Sequence, residues 1–138
     1  MSKAVKLMTS GEAEIIDVPK RVRFDWYPKA IGCNLFEIVR PSLLPEGYIL
    51  IVDEGGKLID SPVINFIGSW LYGTDRHGEP ICGDCVIMKE QMTKRGMDIV
   101  GLTMEEAVTF RDSAYETLPL AVRLIRNRMG KKLVEKKY

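Results

Sequence analysis

Between Ser61 and Tyr72 the apolar positions recur with helical spacing: Val63, Phe66, Ile67, Trp70 and Leu71 fall at i, i+3, i+4, i+7 and i+8, while Asn65, Gly68 and Ser69 lie off that stripe. Ser61 can cap such a helix, and Pro62 fits its first position because proline has no N–H to leave unpaired and a φ that is already helical. Gly73 supplies the stop. The pattern predicts one amphipathic helix from Pro62 to Tyr72, with Trp70 in the core.

Other stretches alternate. Lys3 to Thr9 and Glu12 to Val18, joined across Ser10-Gly11, read as two strands of a hairpin. Cys33 to Val39 and Gly47 to Asp53 read as a second pair, separated by PSLLPE, whose prolines exclude a continuous strand. Between the pairs, Asp25 can cap a short helix to Ile31 that Gly32 closes. Asp53-Glu54-Gly55-Gly56 is a turn leading into a short strand at Lys57 to Ile59. Ile81 to Glu90 reads as a strand with Gly83 as a bulge, Met92 to Met97 as a charged connection, and Asp98 to Leu102 as a last strand.

Thr103 and Glu106 form a capping box, so a helix starts at Met104 and buries Met104, Ala107, Val108, Tyr115 and Leu118. Pro119 should interrupt it and let a second helix, Leu120 to about Met129, leave at an angle. That helix carries Ala121, Leu124, Ile125 and Met129 on a narrow face, ends at Gly130, and is followed by a fraying KKLVEKKY. The expected fold class is α+β: a single domain with a mixed, mostly antiparallel sheet packed by the amphipathic helix and the C-terminal helices. Residues 1–102 form the core and residues 103–138 a helical extension with a basic tail.

Length and composition sharpen this reading. A chain of 138 residues that is 46% hydrophobic suits one domain. The longest apolar run, Tyr48 to Val52, is far short of the roughly 20 residues of a membrane span, and the opening has no apolar leader. A cytoplasmic protein without a membrane partner is expected. Three cysteines argue for free thiols in a reducing compartment. The net charge of +1 is unevenly spread, because Arg123 to Tyr138 holds seven Lys or Arg against one Glu. A nucleic-acid contact through that tail is one reading, although no aromatics are interleaved for base stacking.

Three clusters could carry chemistry. Thr74, Asp75, Arg76, His77 and Gly78 could bind a phosphate, a carboxylate or a nucleotide-like anion, or could simply complement a helix C-terminus. Cys82 and Cys85 have the C-x-x-C spacing of a zinc site, with His77 as a further donor, but three residues apart on one strand they would point to opposite faces. Leu124, Ile125 and Met129, flanked by Arg123 and Arg126, could meet a partner or a second copy. No nucleophile with an oxyanion donor can be assigned, so neither an enzyme nor a cofactor is expected.

Leu71 to Gly83, LYGTDRHGEPICG, with Asn65 upstream and Asp53-Glu54-Gly55-Gly56-Lys57 before it, resembles a family of uncharacterised domains from phages, plasmids and integrative elements of Gram-positive bacteria. The resemblance runs from about Val5 to Leu102. It implies a small α+β domain of a mobile genetic element, with aliphatic residues usual where Cys82 and Cys85 stand, and brings no activity or catalytic residue. The expected function is a non-enzymatic accessory protein that engages a host or element-encoded protein or self-associates.

Overall fold

The computed structural model describes residues 2–20, 22–56 and 61–137, with side chains described as far as residue 130. A six-stranded sheet forms the middle layer. Its strands are β1 (Ser2–Leu7), β2 (Ala13–Val18), β3 (Phe36–Val39), β4 (Tyr48–Asp53), β5 (Cys85–Thr93) and β6 (Gly96–Val100), in the order β2-β1-β5-β4-β3 with β6 on the far half of β5. Every pairing of these strands is antiparallel. The helices are α1 (Trp26–Ile31), α2 (Phe66–Tyr72), α3 (Thr74–His77) and α4 (Met104–Lys137).

The two central strands are covered on both faces, which is why YILIV and CVIM read as continuous apolar runs rather than alternating ones. Ile49, Ile51, Val86 and Met88 face one way, with Tyr27 and Ile31 of α1. Leu50, Val52, Cys85 and Ile87 face the other, with Ile67 and Leu71 of α2 and Ala107, Ala114 and Ala121 of α4. The expected α+β class is therefore present, as three layers with an apolar core on each face of the sheet.

Both early hairpins form as expected, and α1 ends at Gly32 in a left-handed C-cap. Asp25 occupies the N-cap position without a side-chain cap bond; its carboxylate instead lies 3.6 Å from Lys29. The charged segment expected as a connection at Met92–Met97 is mostly strand: Thr93 pairs with Gly96 around a two-residue turn, and the Thr93 hydroxyl bonds the Gly96 carbonyl and the Arg95 amide. The strand expected at Lys57 to Ile59 lies outside the described residues.

Three helix expectations need correction. The α2 helix starts at Phe66, not at Pro62, because Ile64 pairs with Cys82 in an isolated bridge and the Gly83 amide donates to the Val63 carbonyl. The N-cap is Asn65, whose Oδ1 accepts from the Gly68 amide at 2.9 Å, so Val63 is left exposed. The residues off the stripe, Asn65, Gly68 and Ser69, are all buried, while Trp70 is only half-buried. Finally, α4 is continuous through Pro119 and beyond Gly130 to Lys137. Pro119 lies on an exposed side of the helix, and the fully buried Ala121 and Ile125 hold the following turns onto the same domain. Tertiary packing outweighs the lost ladder bond. The capping box is made: the Thr103 amide donates to Glu106 at 2.9 Å and the Glu106 amide to Thr103 Oγ1 at 3.1 Å.

Candidate functional site

The Thr74–Gly78 segment is a single helical turn bracketed by Gly73 (φ 92°) and Gly78 (φ 84°), both in the left-handed region where glycine carries no Cβ penalty. Thr74 is buried and donates its hydroxyl hydrogen to the Glu79 carbonyl. His77 Nδ1 accepts from the Glu79 amide and Nε2 lies 3.0 Å from the Tyr72 carbonyl, with the ring edge-on to Tyr72. Arg76 reaches back to Ser42 Oγ at 2.8 Å. Asp75 Oδ1 is buried with no hydrogen-bond partner among the described residues. Most of these polar atoms therefore close the connection from α2 to β5.

The cysteines are core residues. Cys82 is buried beside its bridge to Ile64, and Cys85 is fully buried at the start of β5. Burial, reinforced by the Asp84 carboxylate, pushes the Cys85 thiol up, away from the thiolate that a metal needs. Among the described residues no cluster of three or more His, Cys, Asp or Glu could hold a metal ion.

On α4, Ile125 is fully buried against the domain, whereas Leu124 and Met129 are half-buried. Arg123 is exposed, and the Arg126 guanidinium lies 5.4 Å from the centre of the Phe66 ring. The basic side chains from Lys131 onward lie outside those described. Among the described residues no helix is long and apolar enough to cross a membrane.

Some of the residues that carry the resemblance, Asn65, Gly56 and Ile81 to Gly83, meet at one junction. Asn65 Nδ2 donates to the carbonyls of Leu7 at 2.8 Å and Gly83 at 3.0 Å, joining β1, α2 and the entry to β5. Ser69 Oγ bonds both the amide and the carbonyl of Ile81, taking the part of a strand neighbour. Asp84 accepts from the Thr9 amide at 3.0 Å. Gly56, from the Asp53-Glu54-Gly55-Gly56 turn, lies so close to Cys82 that a Cβ there would sit 2.5 Å from the Cys82 carbonyl oxygen. Two sequence signatures about 30 residues apart are thus one tertiary contact.

Residues 2–114, from β1 into α4, match the family described as a domain of unknown function, DUF3846. The chain belongs to that family. No curated protein and no solved structure matches it. In this DUF3846 domain the polar groups at the junction act in folding, and the match includes part of α4, which the resemblance drawn from sequence had left out.

Sequence reasoning missed a second feature, at the β3 edge. Phe24 is 82% and Leu35 65% exposed, and with Pro28, Phe36 and Ile38 they border an open apolar depression of about 700 Å³. The signal available in the sequence was a short strand, FEIV, with no proline or lysine to guard an edge. A smaller apolar cavity of about 280 Å³ opens between α2, α4 and Leu43–Pro45, with Trp70 in its wall.

Proposed function

We propose that this DUF3846 protein is a non-enzymatic accessory protein of a mobile genetic element that acts by binding another protein, and that the β3 end of the sheet is its contact surface. The observation carrying this reading is the contrast between two sets of residues. The distinctive polar side chains, Asn65, Ser69, Thr74 and His77, are occupied by the chain's own backbone. Large apolar side chains are instead left in solvent at Phe24 and Leu35, beside the last strand of the sheet. An exposed apolar patch next to a sheet edge is a usual mark of a protein-binding surface. The mobile-element setting rests on the resemblance of Leu71 to Gly83 to phage, plasmid and integrative-element domains.

The test places a photo-crosslinking residue at Leu35, or at the exposed Asp112 of α4 as control, in the full chain inside cells that carry the native element. Adducts with a discrete protein from position 35 and none from position 112 are expected. Equal labelling from both positions, or none from either, would overturn the reading.

A further inference from the structure

The two ends of the sheet differ at one point: α4 closes the start of the β2 edge, although Ile15 and Asp17 further along it also turn outward by the same alternation. At the β2 end, Glu12 pairs with Met8 through the Met8 amide, so Ala13 turns its own N–H and C=O outward. Both are taken up by the Tyr115 hydroxyl of α4, at 3.1 Å each. At the β3 end, the Glu54 amide donates to the Leu35 carbonyl, which fixes the alternation: Glu37 and Val39 bond towards β4, while Phe36 and Ile38 turn their N–H and C=O away from it. Among the described residues nothing receives those groups.

We infer that the β3 edge takes up an extended segment of a partner protein, as an added strand with apolar side chains at alternate positions and a basic residue between them. The inference rests on the protein-binding reading above and specifies the chemistry of the partner. Main-chain bonds to Phe36 and Ile38 would supply the pairing, and the alternation of the sheet decides what flanks them. Phe36 and Ile38 lie on the α1 face beside the apolar depression, so the segment's side chains on that face meet Phe24, Pro28 and Leu35. Glu37 is exposed and also borders the depression, but the alternation of the strand sets its side chain on the other face from Phe36 and Ile38, where an added strand would place its intervening side chain across from that carboxylate. Opposite charges across strands attract and like charges repel. A second copy fits less well, because the antiparallel register that pairs Phe36 with Ile38 of the other copy places Glu37 opposite Glu37.

The probe is a short, end-blocked peptide of alternating valine and lysine, compared with its valine–glutamate counterpart, using the full chain. The lysine peptide should slow hydrogen exchange at the Phe36 and Ile38 amides and bind about fivefold or more tightly than the glutamate peptide. Ile38→Pro, which removes a donor that no described bond uses, should abolish that binding; Glu37→Lys, which leaves the backbone intact, should reverse the preference. Binding that ignores Glu37→Lys, or that leaves the Phe36 and Ile38 amides unprotected, would overturn the proposal. So would a concentration-dependent dimer that Ile38→Pro dissolves, since the occupant would then be a second copy. Crosslinking from position 35 that persists when neither peptide protects β3 would sink strand addition alone and leave the protein-binding reading standing.

Discussion

The side-chain amide of Asn65 donates to the Gly83 carbonyl at 3.0 Å while its oxygen caps the Gly68 amide at 2.9 Å, so one fully buried residue both starts α2 and ties it to the entry of β5. Its bond to the Leu7 carbonyl adds β1 to the same knot. Asn65→Asp keeps the cap acceptor but replaces both donors by an acceptor facing two carbonyls. Each buried polar group left without its partner costs about 1 to 3 kcal/mol, so Asn65→Asp should lose roughly 3 kcal/mol or more. Chemical denaturation reads this directly; a loss under about 1 kcal/mol would mean that the junction tolerates rearrangement.

That junction also marks where sequence reading stopped. The hairpins and the Thr103 cap were legible because alternation and a capping box are local patterns. The start of α2 was not, because Ser61-Pro62 is a good local signal overridden by the pairing of Ile64 with Cys82, eighteen residues downstream. Helical periodicity likewise set Asn65 and Ser69 off the apolar stripe, whereas the short α2 sits between α4 and the Ile81 segment and is buried on both sides. Pro119 read as a break because the packing of Ala121 and Ile125 is invisible to a propensity argument. Of the candidate sites, the Thr74–Gly78 cluster was visible as residue types but not as partners, and the β3 edge became visible only with the order of strands.

Gly56 should resist substitution for a steric rather than a conformational reason. A Cβ there would lie 2.5 Å from the Cys82 carbonyl oxygen, a backbone atom that cannot rotate away. Gly56→Ala should therefore separate the turn after β4 from the entry to β5 and destabilise by about 1 to 3 kcal/mol. Gly55, whose Cβ would meet only Asp53 Oδ1 at 3.7 Å, is the control and should change stability by less than about 1 kcal/mol. Equal effects at the two positions would refute the close-approach account.

Acid should weaken the fold through Glu106. Burial alone would raise this carboxyl, but the Thr103 amide, the Tyr48 hydroxyl, the Lys89 ammonium at 2.9 Å and the Thr103 hydroxyl together hold it down at about 2. A folded-state value below the ordinary 4.5 contributes stability that is present above pH 4.5 and lost as pH falls towards 2. At about 1.4 kcal/mol per unit, the contribution is at most about 3 kcal/mol. Glu106→Gln should lower stability at pH 7 and flatten its decline across that acid window. An unchanged slope in pH-dependent unfolding would show that other carboxylates control acid sensitivity.

The sharpest consequence of a continuous α4 concerns the two sides of Pro119. If the helix runs unbroken, proline there removes one N–H from the ladder and crowds the carbonyl four residues back, while Ile125, nearly two turns on and fully buried, anchors the following segment to the domain. Pro119→Ala should then restore a bond and raise stability by about 1 kcal/mol, the gain being reduced by the freer unfolded chain. Ile125→Ala should cost about 2 to 5 kcal/mol, as for any large aliphatic side chain truncated in a packed interior. A helix that left the domain at Pro119 makes the opposite pair of predictions: alanine at 119 would straighten a needed bend and destabilise, and truncation at 125 would leave the melting temperature untouched while changing association. Thermal unfolding and size-exclusion chromatography of the two variants distinguish these cases, and a stability-neutral Ile125→Ala would be enough to reject the packed helix.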